Sequence, residues 1–318
     1  MRPKLGFAAL PLLLGLAGAC ASSPGEEPTV VEPPPLPEGK LPQGVRPTSY
    51  RLSLEVVPER DRFLGSAMIT IELERASEGI WMHGERLEVT SIYATHATTR
   101  IEAAWAQRTE DGVARVDFDE PLPPGRSTLH IEYSAPFDTP LRGLYRVQSG
   151  GQTYAFTQFE SISARLAFPC FDEPRFKTPF ELTLTVPEGE FAAANTPVDR
   201  AISLPTGLQR ITFLPTPPLP TYLVAFAVGP FDVVAGTSIP PNESRPFAIP
   251  VRGLAAKGRG TRLQYALDQT ARFVEALEEY FGIPYPYRKL DLVAVPDFAA
   301  GAMENVGLIT FRAVSYTH

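Results

Sequence analysis

Hydrophobic and polar positions alternate through much of the chain from residue 48 onward. Four segments show this period of two most clearly, and they lie at residues 50–56, 69–73, 129–133 and 180–186. Such alternation is typical of strands that bury one face and expose the other. Turn signals separate the segments, and no helical pattern lies between them. The pattern therefore predicts an antiparallel β domain of two packed sheets over residues 48–234.

The pattern changes after Arg252, where apolar residues recur at helical spacing. The positions with this spacing are Leu263, Leu267, Thr270, Val274, Leu277 and Phe281. Thr261 with Gln264 resembles a capping box, and Gly282 predicts the helix end. A strand is predicted next, over residues 290–295. One helix and one strand open an α/β unit but are too few residues to bury a core alone.

The first 47 residues have the composition of a targeting segment and a linker. Residues 1–19 combine a positive start with an apolar stretch too short to span a bilayer, as in a secretory signal peptide. Cys20 follows small residues, as in a bacterial lipobox, and is predicted to carry lipid. Residues 20–47 are rich in Pro and predict a semi-rigid spacer. We expect an exported bacterial lipoprotein, anchored to a membrane in the periplasm or at the cell surface. A secreted protein without lipid is the alternative.

Composition and charge narrow the classes of function. The formal net charge is −7, and the sequence contains no cluster of Lys and Arg that could neutralise phosphates. Nucleic acid is therefore not an expected partner. Hydrophobic residues make up 44% of the chain, which is enough for a sizeable core. Cys170 is predicted to be a buried, inert thiol. With Cys20 carrying lipid, no intramolecular disulfide is expected.

Motifs for metal or nucleophilic catalysis are absent from the sequence. The histidines lack the H-E-x-x-H spacing that puts two zinc ligands on one helix face, so no metal ligand and no catalytic residue is predicted in this chain. No G-x-S-x-G elbow and no Gly-rich phosphate loop is present either. The four histidines are read as structural or surface residues: His83, His96, His130 and His318. Glu160 and Glu304 are candidate ligand-binding groups, although a lone Glu is more often a solvated surface group.

Residues 301–305, with the sequence Gly-Ala-Met-Glu-Asn, resemble the exopeptidase motif of the gluzincin zinc aminopeptidases, the family of aminopeptidase N and leukotriene hydrolase. The residues before this motif are similar to the family as well, at 280–286, 289–291 and 295–298. Upstream segments resemble the family's N-terminal domain in order and spacing, at 143–146, 157–160, 164–165, 168–174 and 221–226. The resemblance covers residues 47–312.

The resemblance implies a mainly β fold. An N-terminal β-sandwich, or saddle, domain over residues 48–234 would be followed by the start of an α/β thermolysin-like catalytic domain over residues 235–318. It implies an exported, zinc-dependent aminopeptidase. The family's H-E-x-x-H motif lies a few tens of residues beyond the Gly-Ala-Met-Glu-Asn stretch, so the zinc ligands are expected in a missing C-terminal part. We therefore expect a fragment that is inactive alone.

The resemblance also implies a set of substrate-binding residues: Gln158, Glu160, Gly301, Ala302, Met303, Glu304 and Asn305. Glu304 and Glu160 would bind the α-ammonium of a peptide, since charge-assisted hydrogen bonds are strong in a dry pocket. Backbone groups of Gly301 and Ala302 would align the peptide as a strand. Met303 and Gln158 would help to line the pocket for the first side chain. The implied partners are peptides with a free N-terminus, and a membrane through the lipid anchor.

An alternative from another class of function is a non-catalytic lipoprotein. Such a protein would keep the same β fold and use it to bind peptides or proteins. An open reading frame that continues to H-E-x-x-H would favour the enzyme.

Overall fold

The computed structural model describes residues 35–313. The predicted signal peptide, the predicted lipidation residue Cys20, most of the predicted spacer and His318 lie outside these residues. The strands in chain order are β1 (Val45–Glu55), β2 (Arg62–Leu73), β3 (Ser77–His83), β4 (Glu88–His96), β5 (Thr99–Gln107), β6 (Val113–Leu122), β7 (Gly125–Pro136), β8 (Gly143–Ser149), β9 (Gln152–Gln158), β10 (Phe180–Pro187), β11 (Phe191–Ala194), β12 (Val198–Ser203), β13 (Leu208–Phe213), β14 (Phe226–Gly229), β15 (Asp232–Ala235), β16 (Val251–Ala255), β17 (Leu290–Val295), β18 (Ala302–Met303) and β19 (Leu308–Arg312). Between β16 and β17 lies the helix α1 (Gln264–Phe281). Short 3₁₀ turns occupy Ala164–Leu166, Thr221–Leu223 and Gly260–Leu263. In the described part of the chain, no helix is both long and apolar enough to cross a membrane.

Ten strands form the largest sheet, in the order β12-β13-β10-β1-β2-β7-β4-β5-β6-β3. The four segments predicted from alternation correspond to β1, β2, β7 and β10 of this sheet, and the first of them runs one residue past the end of β1. Along β10 the burial alternates at every residue, as the period of two requires. The predicted mainly β fold is confirmed.

One pairing in this sheet departs from the predicted antiparallel arrangement. β1 runs parallel to β10, with Tyr50 opposite Phe180 and Leu54 opposite Leu184. Parallel strands need a long connection, and here eight strands lie between β1 and β10 in the chain, six of them in the first sheet and two in the second. Alternation reports which face of a strand is buried and does not report the direction of its neighbour.

A second sheet of four strands, in the order β11-β14-β9-β8, packs against the first. One continuous core joins the two sheets, and it contains Leu52 and Ile69 from the first and Leu144 and Phe226 from the second. Tyr133 of β7 also bonds the segment that follows β9, because its hydroxyl donates to the carbonyl of Ala167 at 2.8 Å. The predicted packing of two sheets is therefore present.

The third sheet has the order β15-β16-β17-β19-β18. β16, β17 and β19 are parallel to one another, and α1 crosses between β16 and β17, so this part is an α/β unit. One face of the sheet packs with α1 around Leu267 and Leu292. The other face shares a core with the second sheet through Phe156 and Val293. The domain boundary predicted between residues 234 and 235 falls inside β15.

The ends of α1 confirm one sequence signal and correct another. Gly282 ends the helix in the left-handed conformation with φ of 64°, and its N–H donates to Glu278 O at 2.9 Å. The predicted capping box of Thr261 and Gln264 is wrong. Thr261 lies inside a 3₁₀ turn, the N-cap is Leu263, and no side chain caps the helix.

The buried stripe of α1 also differs from the apolar spacing. Leu267 and Val274 are buried, but Leu277 and Phe281 are 54% and 63% exposed. The stripe continues to Glu278 instead, whose carboxylate accepts from Arg245 Nε at 2.8 Å. A buried ion pair thus takes a position where the periodic pattern predicted apolar contacts, and apolar side chains remain on the outer face of α1.

The last part of the predicted spacer is folded. Leu41 is buried in the main core and is fixed by two polar contacts across the sequence. Its N–H donates to the Glu173 carboxylate, and its carbonyl accepts from Arg175 Nη2 at 2.8 Å. The chain is therefore fixed to the β domain four residues before β1 begins.

Candidate functional site

The segment 301–305 lies at the free edge of the third sheet. Within residues 35–313, β18 pairs with β19 only, with Ala302 opposite Phe311 and Met303 opposite Thr310, and it is the last strand in the order. Gly301, Ala302 and Glu304 are exposed, whereas Met303 and Asn305 are buried. An unpaired strand edge offers backbone donors and acceptors to another extended chain.

The loop before β18 is held by Arg312. Its Nε donates to the carbonyls of Phe298 at 2.8 Å and Ala300 at 3.0 Å, and its Nη2 donates to Ala299 O. Its own N–H donates to Gly301 O at 2.9 Å. One residue of β19 therefore fixes the four residues that lead into the edge strand.

The turn after Asn305 is tied to the β domain through Asn195. The amide Nδ2 of Asn195 donates to Val306 O and to Leu223 O, both at 2.8 Å, and its Oδ1 accepts from Ala225 N at 2.8 Å. Gly307 closes the turn with φ of 67°, and a Cβ there would lie 2.2 Å from the carbonyl oxygen of Asn195. Only glycine fits at that position.

A buried charge cluster supports the same turn from the other side. Lys289 Nζ donates to Gly307 O at 2.6 Å and to Asp291 Oδ2 at 2.8 Å. Arg252 pairs with both oxygens of Asp291, at 2.9 and 2.7 Å. Burial lowers the pKa of Lys289 to about 8, which the nearby Asp291 carboxylate partly opposes. The cluster fixes the position of the turn.

Gln158 and Glu160 lie at and beyond the end of β9 in the second sheet. Gln158 is 7% exposed, and its Oε1 is a buried atom without a hydrogen-bond partner in residues 35–313. Glu160 is exposed, and the described residues offer its carboxylate no donor. The same holds for Glu304. Three acceptors at these positions thus lack partners within the described part of the chain.

The second and third sheets bring these two groups of residues to one core. Phe156 of β9 and Met303 of β18 belong to the same buried cluster. Tyr145, which lies opposite Phe156 on β8, also donates through its hydroxyl to Asp297 O at 3.5 Å. The strands that carry the predicted residues are therefore packed against a common set of side chains.

A zinc ion does not fit the residues between 35 and 313. Among them, no three side chains of His, Cys, Asp or Glu are grouped so that they could hold a metal. Each described histidine has another contact. His83 Nδ1 accepts from Asp172 N, His96 bonds Ser127 at 2.9 Å, and His130 stacks on Tyr93.

Cys170 is free and fully buried, as predicted. Burial raises the pKa of its thiol well above the ordinary value, so the thiol stays protonated near neutral pH.

Sequence patterns missed the residues that position segment 301–305. Asn195 and Arg312 act through contacts with residues distant in the sequence or through backbone groups, and no local pattern marks them. Lys289 and Asp291, in contrast, could have been predicted from the sequence as a buried, paired group of charges. Two charges flank Leu290 at the start of an otherwise apolar strand, and charges in a fully buried strand are retained only when they are paired.

Comparison with known proteins assigns the family. The sequence model of the Peptidase M1 N-terminal domain matches residues 46–223, and that of the Peptidase family M1 domain matches residues 265–317. The first match alone covers more than half of the chain. The protein belongs to the peptidase M1 family, a family of hydrolytic enzymes, which confirms the resemblance to the gluzincin aminopeptidases.

Curated relatives of the chain are named as aminopeptidases. Aminopeptidase M1-B of Oryza sativa subsp. japonica is 33% identical over 279 residues, covering 86% of this chain and 31% of the relative. Puromycin-sensitive aminopeptidase of Caenorhabditis elegans is 31% identical over 286 residues, covering 87% and 29%. Glutamyl aminopeptidase of Rattus norvegicus is 31% identical over 284 residues, covering 86% and 29%. The chain spans about a third of the length of these relatives.

Proposed function

We propose that this chain supplies the peptide-binding part of an exported, zinc-dependent aminopeptidase, an enzyme that removes residues from the N-terminus of peptides. The observation that carries the proposal is the set of three unpartnered acceptors, Glu160, Glu304 and Gln158 Oε1, at the ends of strands that share one core. The aminopeptidase names of the relatives support the same activity.

The chemistry of these acceptors suits a free N-terminus. An α-ammonium group has three N–H donors, and two carboxylates with one amide oxygen provide three acceptors. Gln158 Oε1 gains most from such a ligand, because a buried acceptor without a donor costs about 1–3 kcal/mol. An acetylated N-terminus carries no charge and has a single N–H, so it would leave the carboxylates without a cation.

The edge of β18 would bind the backbone of the same peptide. An extended peptide that adds to a free sheet edge gains main-chain hydrogen bonds regardless of its sequence. Gly301 has no atom within 4 Å of the position of a Cβ, so the peptide approaches an open backbone there. Met303 is buried beside this edge and would contribute apolar contact to the first side chain.

Zinc, when bound in the complete active site, would activate the water that attacks the peptide bond. Since residues 35–313 hold no ligand set for it, we assign no catalytic residue in this part of the chain. The role of the residues described here is to bind the N-terminus, to align the peptide and to fix which bond is presented. The 318-residue chain alone is proposed to bind peptides without hydrolysing them.

A direct test compares two versions of one peptide, with a free and with an acetylated N-terminus, each labelled at its C-terminus. Fluorescence anisotropy of the 318-residue chain should show at least about tenfold tighter binding of the free form, because only this form pairs with the carboxylates. Glu304→Gln should abolish most of that preference, and Glu160→Gln should reduce it.

Glu275→Gln, at an exposed position on α1, is the matched control and should leave the preference unchanged. Equal binding of both peptides by the unmodified chain would contradict the proposal. Release of a free N-terminal amino acid by the chain alone would contradict the proposed lack of hydrolysis. An equal affinity for the free and the acetylated peptide would instead favour a non-catalytic binding protein.

A further inference from the structure

A second cavity, of about 470 Å³, lies in the β domain and has no role in the site described above. Its walls come from the folded end of the spacer, the turn between β5 and β6, and the residues that follow the Ala164–Leu166 turn. This volume is within the range of about 300–1,000 Å³ that is typical of small-molecule sites. Leu41, Val113 and Ile162 give the cavity an apolar part.

Most charges around the cavity are already paired with one another. Asp172 accepts from Arg165 Nε at 3.0 Å and from Thr221 Oγ1 at 2.6 Å. Glu173 accepts from Arg175 Nε and from the Leu41 N–H. These charges are already neutralised by one another, and their hydrogen bonds fix the frame of the cavity.

His83 provides a donor at the cavity wall that remains free. Its Nδ1 accepts from Asp172 N at 3.1 Å, so the ring proton lies on Nε2. The side chain is 4% exposed and lines the cavity, and no residue in 35–313 accepts from Nε2. Burial, assisted by the nearby Arg165, lowers the pKa of His83 to about 3, so the ring is neutral at pH 7.

Two exposed, opposite charges at the rim of the cavity also lack an ionic partner among the described residues. The Lys40 ammonium has no hydrogen bond or ion pair there, and the Asp111 carboxylate accepts from the Thr109 hydroxyl only. The turn that carries Asp111 is fixed, because Arg165 Nη1 donates to Asp111 O at 2.7 Å and Gly84 N donates to Gly112 O at 2.8 Å. The cavity thus presents one cation, one anion and one neutral N–H donor.

We propose that this cavity binds a small zwitterion, a free α-amino acid with an apolar side chain. Its carboxylate would accept from Lys40 and from His83 Nε2, its ammonium would donate to Asp111, and its side chain would contact Val113 and Ile162. A ligand with a single charge would satisfy only one of the two free ionic groups. The proposal does not depend on the peptidase function, since none of these residues belongs to the peptide site.

The test is calorimetric titration of the 318-residue chain with L-leucine and two analogues that each lack one charge. L-Leucinamide lacks the carboxylate, and N-acetyl-L-leucine lacks the ammonium. Lys40→Met and Asp111→Asn should each weaken leucine binding at least about tenfold, as the loss of a charged hydrogen bond predicts. Leucinamide binding should be insensitive to Lys40→Met, and N-acetyl-leucine binding should be insensitive to Asp111→Asn.

Matched control variants come from exposed neighbours that do not line the cavity. Lys177→Met and Glu110→Gln remove the same charges nearby and should leave leucine binding unchanged. His83 is kept intact, because it also holds the backbone of Asp172. Its Nε2–H provides a readout instead, and the ¹⁵N resonance of that nitrogen should shift when leucine binds.

Three results would overturn the proposal. Absence of leucine binding at millimolar concentration is the first. Leucine binding that disappears in Glu304→Gln but persists in Lys40→Met would belong to the peptide site. Inorganic phosphate that displaces leucine and requires Lys40 but not Asp111 would identify a simple anion site.

Discussion

The side-chain amide of Asn195 donates to the carbonyl oxygen of Val306 at 2.8 Å and thereby joins the first domain to the turn that follows the Gly-Ala-Met-Glu-Asn segment. The two residues are separated by 111 positions in the chain. Asn195 makes two further hydrogen bonds to backbone groups of the 223–225 turn. One side chain therefore links the turn after β18 to the 223–225 turn.

Asn195→Ala should destabilise the protein by about 3 kcal/mol, because three backbone groups lose their partner in a buried place. Asn195→Asp keeps the acceptor for Ala225 but sets a negative charge against two carbonyl oxygens, so it should cost at least as much. Urea unfolding measures both changes. Gln152→Ala, which removes an exposed amide, should change stability by less than about 0.5 kcal/mol. A tolerated Asn195→Asp would contradict this account.

Gly307 and Gly301 form a matched pair for separating stability from peptide binding. Gly307→Ala should lower thermal stability strongly, since the backbone is left-handed and the new Cβ would lie 2.2 Å from Asn195 O. Gly301→Ala should leave thermal stability nearly unchanged, because nothing lies within 4 Å of its Cβ position. Thermal unfolding checks both statements.

Peptide affinity of the same two variants completes the comparison. If a peptide backbone approaches Gly301, then Gly301→Ala should weaken binding although the fold is intact. A variant that is stable and binds peptide as tightly as the unmodified chain would argue against strand addition at β18.

Glu190 should make stability depend on pH. Burial, and then the nearby Glu59 carboxylate, raise the pKa of Glu190 to about 7. The folded protein then binds this proton more tightly than the unfolded chain, so the stabilisation is fully present below the ordinary pKa of 4.5 and is lost as the pH rises through 7. Glu190→Gln should therefore be more stable than the unmodified chain at pH 8 and equal to it near pH 4.5.

Thermal unfolding of Glu190→Gln at the two pH values measures this difference. Glu59→Gln removes the like charge and should give a smaller gain of the same sign. An equal difference in Tm at both pH values would mean that Glu190 does not titrate in this window.

The proposed membrane anchor depends on Cys20, which lies outside the described residues. If the anchor is present, Cys20→Ser should release the protein from the membrane fraction, because a Ser cannot carry the lipid. Fractionation of cells that express the two forms checks this. Unchanged membrane association would show that the N-terminal segment acts in another way.

Alternation and family resemblance predicted much of the fold from the sequence. Strand β17 begins and ends where the sequence predicted, at Leu290 and Val295. A mostly apolar run of neighbouring residues marks this strand, and neighbouring residues also mark the end of α1 at Gly282, so both signals are local. The parallel pairing of Tyr50 with Phe180 could not be predicted in this way, since it depends on how the eight strands between β1 and β10 return the chain.

The candidate site, like the fold, was predicted from the sequence only in part. Segment 301–305 was found as a motif, and the structure places it at a sheet edge, which no spacing rule specifies. Asn195 and Arg312, which hold the segment, were missed because their partners are backbone carbonyls, and every residue has one. Leu277 was expected inside and lies outside, because the pair of Glu278 and Arg245 occupies the buried position.

The two hydrogen bonds that fix the backbone of Leu41 have a mechanical consequence. A pull on the chain from its N-terminal side must first separate Leu41 from Glu173 and Arg175, and only then does it reach β1. β1 lies inside the large sheet between β2 and β10, so tension along it would load its two hydrogen-bond ladders in shear rather than open them one bond at a time. Removing β1 by such a pull would require many hydrogen bonds to break together. The domain should therefore resist force that is applied from the N-terminal side of Leu41.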